Sequence, residues 1–241
     1  MGTRRKISIV VLTGAGVSAD SGLATFRGAG GLWEGQRVED VATPAAWIRD
    51  PARVWRFYQL RRARLLEVRP NAAHEALVRL ERAASDAGGG FTLVTQNVDG
   101  LHQAAGSRVL AMHGDLRHLR CTRCESVLLD LERLDPADFA TCAACGHRPL
   151  RPDVVWFGEV PRHLDEIGRA LGRCTHFVSV GTSGVVYPAA GLLAAARARG
   201  AETWVNSLDE PWNLDPADRF LPGRAVDVLP RAVQAWIEEW L

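Results

Sequence analysis

Short runs of β-branched and apolar residues alternate along this chain with longer stretches whose apolar positions recur every three or four residues. The runs are ISIVVL (7–12), FTLVTQ (91–96), RVLAMH (108–113), DVVWF (153–157), HFVSVG (176–181), ETWVN (202–206) and AVDVL (225–229). Most are apolar without in-and-out alternation, which predicts strands covered on both faces, as in a parallel sheet. Between them, NAAHEALVRLERAASDAGGG (71–90) reads as a helix capped by Asn71 and stopped by its glycines. Further helices are predicted over 161–172, 188–199 and 229–240. This alternation of strand and helix predicts an α/β fold with a doubly wound parallel sheet.

Two stretches break the alternation. Residues 28–67 contain no predicted strand, and PARVWRFYQLRRARLLEV (51–68) reads as a helix with Val54, Phe57, Tyr58, Arg61 and Leu65 near one face. Residues 115–152 hold two close cysteine pairs. The expected organisation is a sheet domain built from residues 1–30, 68–114 and 153–241, with a helical module (31–67) and a zinc-ribbon module (115–152) forming a small domain. The glycine-rich stretch within 28–44 is expected to form a mobile cover over a ligand.

Composition narrows the function classes. With 47% apolar residues, the 241-residue chain has material for a real core. Basic and acidic residues nearly balance, 29 against 28, so bulk charge gives no reason to expect nucleic acid or anionic lipid as a partner. The apolar run from Ile7 to Leu12 is too short for a signal-peptide core, and no segment approaches the ~18 uninterrupted apolar residues of a membrane span. A soluble, cytoplasmic chain acting as a monomer is the working expectation.

Five cysteines, four of them in two pairs, favour metal ligation in a reducing compartment over a disulfide framework. Cys121-x2-Cys124 and Cys142-x2-Cys145 are separated by 17 residues, the spacing of structural zinc sites. Four thiolates close a tetrahedron around one Zn2+ and leave no position open for water, so the ion is expected to be structural. His113 and His147 are then surplus to its coordination, and Cys174 is expected to be a buried apolar thiol.

The first run leads into TGAGVSADSG (13–22), where Gly14-x-Gly16-x-x-Ala19 fits the dinucleotide fingerprint. Its glycines let the backbone approach a pyrophosphate, and a following helix N-terminus offers unpaired N–H groups. The sheet domain is therefore expected to be Rossmann-like. The acidic ribose-binding residue usual ~20 positions on is missing, and Asn206, at the end of ETWVN, is the expected substitute. Gln96, Asn97, Asp99 and His102 follow one strand, His113 the next, and Thr182 and Ser183 another. Ligands in such sheets sit beyond the carboxyl ends of the strands, so these converging polar groups mark a candidate site.

GAGVSADSGLATFRG (14–28), TQNVDGLHQAAG (95–106), HG (113–114), the cysteine pairs, PDVVWFGE (152–159), GTSGVVYPAAG (181–191) and VNS (205–207) together resemble the sirtuins, NAD-dependent protein lysine deacylases. The motifs follow the family's order over most of the chain. The resemblance implies NAD as cofactor and acyl-lysine proteins or peptides as substrates. Besides the fingerprint residues Gly14 and Gly16, it implies that Ala15, Ser18, Thr25, Phe26 and Arg27 line the phosphate and ribose pocket. Gln96, Asn97 and Asp99 would hold the nicotinamide end, and Gly181, Thr182, Ser183, Asn206 and Ala225 the adenosine half. His113 becomes the base that takes a proton from a ribose hydroxyl, with Asn97 the second catalytic residue. An imidazole of pKa ~6.5 suits that work near neutrality. The peptide would lie between Phe157, Gly158 and Glu159 on one side and Val185, Val186 and Tyr187 on the other.

In the sirtuin branch that removes malonyl, succinyl and glutaryl groups, a Tyr-x-x-Arg pair binds the acyl carboxylate and a small residue leaves room for it. Tyr58 with Arg61, and Ala42, occupy the matching positions. A charge-assisted contact of ~1.5–3 kcal/mol would favour acidic acyl groups by roughly ten- to a hundred-fold. The plain alternative is a solvated basic face made of Arg56, Arg61, Arg62 and Arg64. Two rival functions share parts of the pattern: an NAD-dependent protein ADP-ribosyltransferase, and a noncatalytic zinc-ribbon module for nucleic acid, which the balanced charge disfavours.

Overall fold

The computed structural model describes residues 6–24, 32, 33 and 35–241. Thr25, Phe26 and Arg27, three of the expected cofactor contacts, lie outside the described residues, as does part of the glycine-rich stretch. In chain order, β1 (Ser8–Thr13) runs into two 3-10 turns, followed by β2 (Leu32–Trp33), β3 (Gln36–Arg37), α1 (Val38–Val41), α2 (Pro44–Arg49) and α3 (Pro51–Arg64). Next come α4 (Ala72–Asp86), β4 (Gly90–Thr95), α5 (Leu101–Ala105), β5 (Val109–Ala111), β6 (Gly114–Arg120), β7 (Val127–Leu129) and β8 (Arg151–Val154). Then follow α6 (Leu164–Arg173), β9 (His176–Val180), α7 (Gly191–Arg197), β10 (Glu202–Ser207), β11 (Arg219–Pro222) and α8 (Ala225–Trp240).

Six parallel strands stand in the order β5-β4-β1-β9-β10-β11. The chain grows outward from β1 through β4 to β5, then returns to lay β9 on the other side of β1. That is the Rossmann order, and it puts the topological switch point between β1 and β9. β1 shows why its sequence is apolar throughout. Ile9 and Val11 enter the core under α4 and α8, while Val10 and Leu12 enter the opposite core under α6 and α7. α4 starts as expected at Asn71: its side chain accepts from Ala73 N (3.0 Å) and its own N–H donates to His74 Nδ1 (3.2 Å).

A three-stranded antiparallel sheet, β7-β6-β8, and the first three helices pack together beside this sheet. α2 is capped by Thr43 and α3 by Asp50, each with proline in the first turn. α3 divides two cores. Val54, Phe57 and Tyr58 pack with Ala42, Leu116, Val154 and Trp156, whereas Trp55 packs with Leu119, Leu150, Cys121 and Cys142. Arg62 is wholly buried; its guanidinium donates to Leu116 O (3.0 Å) and to the Asp130 carbonyl, with the Asp130 carboxylate 3.6 Å away. Of Arg56, Arg61, Arg62 and Arg64, only Arg56 and Arg64 therefore form a solvated basic face, whereas Arg61 and Arg62 are buried and Arg62 ties the helix to the turn after β7.

Several expectations need correction. DVVWF does supply a strand, but β8 pairs antiparallel with β6 and not with the parallel sheet. AVDVL opens α8: Ala225, Leu229, Val233, Trp236 and Trp240 are buried at helical spacing, and the edge strand is the preceding RFLP. Residues 28–67 contain the hairpin β2–β3, whose two-residue strands are too short to register as a periodic signal. The glycine loop is followed by 3-10 turns at Ala15–Val17 and Ala19–Ser21, with no α-helix among the described residues that come next. Also among the described residues, no helix is long and apolar enough to cross a membrane.

Candidate active site

The loop after β1 lies directly on the loop after β9. Gly14 N donates to Val180 O (2.9 Å) and Gly16 N to Gly181 O (2.8 Å). A Cβ on Gly14 would stand 2.8 Å from Gly181 O, and one on Gly16 2.7 Å from Gly181 Cα. Both obstacles are backbone and cannot swing aside, so glycine is required at this contact. Among the described residues, the N–H groups of Ala15, Thr182 and Ser183 donate to no protein acceptor. Unpaired amides in loops at a switch point suit the phosphates of a dinucleotide.

A cavity of about 900 Å3 opens beyond these strand ends. Its wall includes Gly14, Ala15, Gly16, Ser18, Gln96, Asn97, Asp99, His113, Gly181, Thr182 and Ser183. The small domain and the facing loops add Ala42, Tyr58, Arg61, Phe157, Gly158, Glu159, Val186 and Tyr187. Asn206 and Ala225 are absent from this wall. Asn206 is 1% exposed, donates through Nδ2 to Leu221 O (2.8 Å) and Gly223 O (3.1 Å), and accepts from Gly181 N through its carbonyl. It supports the Gly181 loop from behind, and its buried Oδ1 has no partner among the described residues. Ala225 is buried in the core at the first turn of α8. The wall also contains Arg64 and the segment from Ser207 to Trp212, which the sequence reading did not anticipate.

Hydrogen-bond logic fixes the protonation of the central groups. The carbonyl of Gln96 can only accept, so His113 Nδ1, 3.0 Å away, carries the ring proton and Nε2 presents a bare lone pair. Burial holds the pKa of His113 below the ordinary imidazole value, partly opposed by the bond to Gln96. Asn97 Nδ2 donates to Gly14 O (3.2 Å) and Ser18 Oγ (3.1 Å), which leaves Oδ1 as its remaining polar end. Ser18 donates to Asp99 Oδ2 (2.7 Å), and Asp99 Oδ1 accepts from Leu101 N (2.9 Å). Burial raises the pKa of Asp99 despite these bonds.

Two buried histidines underlie this array, their rings 4.7 Å apart. His74 Nδ1 lies 3.2 Å from Asn71 N and 3.1 Å from Asn71 Oδ1, and its Nε2 lies 3.5 Å from Ser18 Oγ. His102 Nε2 lies 2.9 Å from Thr13 Oγ1, which donates to Thr95 Oγ1 (2.8 Å); that oxygen also accepts from Asn97 N (3.1 Å). Burial pushes His74 down to about 4 and His102 down to about 3, so both rings are neutral at pH 7. The sequence marks His102 only as a polar strand end and gives no sign of His74, whose place follows from the capping turn of α4.

On α3, the Tyr58 hydroxyl accepts from Trp156 Nε1 (3.0 Å), and burial raises its pKa. Arg61 is 8% exposed; it donates to Phe57 O (2.9 Å), and its guanidinium lies 3.3 Å over the Phe57 ring centroid. Phe157 N donates to Ala42 O (3.0 Å), which joins α1 to the turn at 157–159. Glu159 lines the cavity, yet its carboxylate is committed: it accepts two bonds from Arg151 (2.6 and 2.9 Å) and one from Trp156 N (2.7 Å). Burial works to raise its pKa, but the Arg151 bonds hold it below the usual carboxylate value. Arg151, which helps to hold this wall, carried no signal in the sequence, and Trp156 was marked only as part of PDVVWFGE.

Away from the cavity, the four sulfurs of Cys121, Cys124, Cys142 and Cys145 lie within 4.8 Å of one another. The Cys121–Cys145 and Cys124–Cys142 separations are both 3.6 Å. A tetrahedral ion with Zn–S bonds of ~2.3 Å needs sulfurs about 3.8 Å apart, so the donor set fits one Zn2+. Each knuckle closes alike, with Glu125 N on Cys121 O (3.1 Å) and Gly146 N on Cys142 O (2.9 Å), both residues at positive φ. No histidine of the described residues joins the group. His147 Nε2 bonds Thr122 Oγ1 (3.0 Å), and His113 belongs to the cavity wall.

The chain resembles known proteins along most of its length. The NAD-dependent protein deacylase of Caulobacter vibrioides is 48% identical over 237 residues, covering 98% of this chain and 97% of the relative. That of Escherichia coli O6:H1 is 50% identical over 234 residues, covering 95% and 84%. A Sir2 homologue solved in complex with NAD is 40% identical with a TM-score of 0.86, covering 96% of this chain and 89% of that one. Residues 14–188 match the Sir2 family as a whole. Because that match runs unbroken through the glycine loop, the His113 strand end and both cysteine pairs, the chain belongs to the Sir2 family.

Proposed function

We propose that this chain removes acyl groups from protein lysine side chains in an NAD-dependent reaction and favours acidic acyl groups. The observation that carries the reading is the bare Nε2 of His113 in the wall of the cavity at the switch point. Curated relatives of similar length, such as those of C. vibrioides and E. coli, carry the name NAD-dependent protein deacylase.

NAD, when bound, supplies a ribose carbon that parts with nicotinamide and takes the acyl oxygen. The N–H groups of Ala15, Thr182 and Ser183 suit its phosphates and adenosine half, with Asn206 supporting the Gly181 loop from behind and Ala225 buried in the core at the start of α8. Ser18, Gln96, Asn97 and Asp99 form one preoriented array for the nicotinamide end, and Thr25, Phe26 and Arg27 belong to the same proposal. His113 is neutral at pH 7 and accepts a ribose hydroxyl proton at Nε2, while Nδ1–H stays on Gln96 O. The substrate backbone runs between Phe157–Glu159 and Val185–Tyr187. Tyr58 and Arg61 take the acyl carboxylate beside Ala42. One Zn2+ held by Cys121, Cys124, Cys142 and Cys145 shapes the small domain and takes no part in the chemistry.

Matched acetyl- and succinyl-lysine peptides incubated with NAD, with nicotinamide release as readout, test the acyl preference. The wild-type protein should favour succinyl by roughly ten-fold or more. Arg61→Met should depress desuccinylation far more than deacetylation. Equal loss of both activities would remove the carboxylate clamp from the account.

A further inference from the structure

A second arginine of α3 bears on the same cavity. Arg64 follows Arg61 by three residues, so their side chains leave neighbouring positions on the helix with Cβ atoms about 5–6 Å apart. Both belong to the cavity wall, Arg64 together with Leu65, Leu23 and Ala24. Other arginines nearby are committed: Arg62 to Asp130, and Arg49 and Arg53 to Asp40. Arg64 is exposed, and its guanidinium makes no hydrogen bond or ion pair among the described residues. Arg61 differs in kind, since it is buried and anchored on the Phe57 carbonyl and ring.

We infer that Arg64 is a second reader of the acyl carboxylate and sets the length of dicarboxylic chain that the enzyme accepts. Arg61, anchored in place, serves the four-carbon succinyl group. Arg64, on a flexible stem one helical turn further on, captures the carboxylate of the five-carbon glutaryl group. A hydrated guanidinium with unspent donors follows a carboxylate to positions that a fixed one does not reach. This inference rests on the acidic-acyl reading above and adds a residue to it. An exposed ion pair is weak and screened by salt, so the effect expected is about three- to five-fold.

The test uses one peptide in acetyl-, succinyl- and glutaryl-lysine forms, with kcat and KM measured at low and at high salt. Wild type is compared with Arg64→Gln and Arg64→Lys. In Arg64→Gln the glutaryl-to-succinyl ratio of kcat/KM should fall by about three- to five-fold, through KM, and Arg64→Lys should restore most of it. Added salt should erode the wild-type ratio and leave that of Arg64→Gln unmoved. An unchanged ratio overturns the inference, and so does an equal loss on all three peptides with a raised KM for NAD, which would move Arg64 to the cofactor. Failure of the acidic-acyl reading is seen separately, in the wild type alone, as no preference for succinyl over acetyl; that result takes the inference down with it.

Discussion

The Gln96 carbonyl decides what His113 can do, because it holds the proton on Nδ1 and leaves Nε2 as a base. Burial lowers the pKa of that ring, so the base stays unprotonated further into acid than a free imidazole would. kcat/KM should therefore rise with pH along an acid limb centred below the ordinary value of ~6.5. His113→Ala should lower kcat by about 10²- to 10⁴-fold with little change in Tm. An acid limb centred above the ordinary imidazole value would contradict this. His74 and His102 make a stability prediction of opposite character. Unfolded, both titrate near 6.5, whereas in the fold burial puts them at about 4 and about 3. Below pH 6.5 the unfolded chain binds protons that the folded one refuses, so stability falls as pH falls, by roughly 1.4 kcal/mol per pH unit for each ring. Tm measured between pH 7.5 and 4.5 should show that slope, and His102→Gln should remove about half of it; a flat profile in the wild type would refute the assignment.

At the scale of elements, the glycine loop and the zinc module make separate predictions. Gly16→Ala forces a Cβ against the Gly181 backbone, which has no room to yield. It should raise KM for NAD and cost about 1–3 kcal/mol of stability, read from denaturant unfolding; wild-type binding and stability would show the contact to be slack. Stripping zinc with a chelator should disorder the ribbon and loosen Trp55, which shares its core with Cys121 and Cys142. Trp55 lies on the same helix as Tyr58 and Arg61. Activity should therefore be lost in a low-temperature transition that leaves the parallel sheet to melt later. A single unchanged transition would contradict that coupling. The elements best legible in the sequence were those with a local cause: the doubly buried strands β1 and β9, the capped α4, and the two cysteine pairs. β8 was assigned to the wrong sheet because a strand's choice of sheet is set by partners elsewhere in the chain, and AVDVL was read as a strand because five residues are too few to separate a buried helix turn from a strand. The ties of Arg62 to Asp130 and of Tyr58 to Trp156 were illegible for the same reason, spanning 68 and 98 residues.

Across the whole molecule, one topological fact gathers the site. Strand order turns back at β1, so the ends of β1, β4, β5 and β9 meet at one crevice, and the small domain supplies its other wall. The backbone contact at Gly14, Gly16 and Gly181 brings a donor-rich cradle beside the base at His113, while α3 brings Tyr58 and Arg61 into the same cavity. The most direct test of this arrangement is mass spectrometry of the products formed from NAD and an acyl-lysine peptide, by the wild type and by His113→Ala. The wild type should yield free lysine peptide, nicotinamide and O-acyl-ADP-ribose in equal amounts, and the variant next to none. ADP-ribose attached to peptide or protein in place of those products, or undiminished turnover by His113→Ala, would contradict this arrangement.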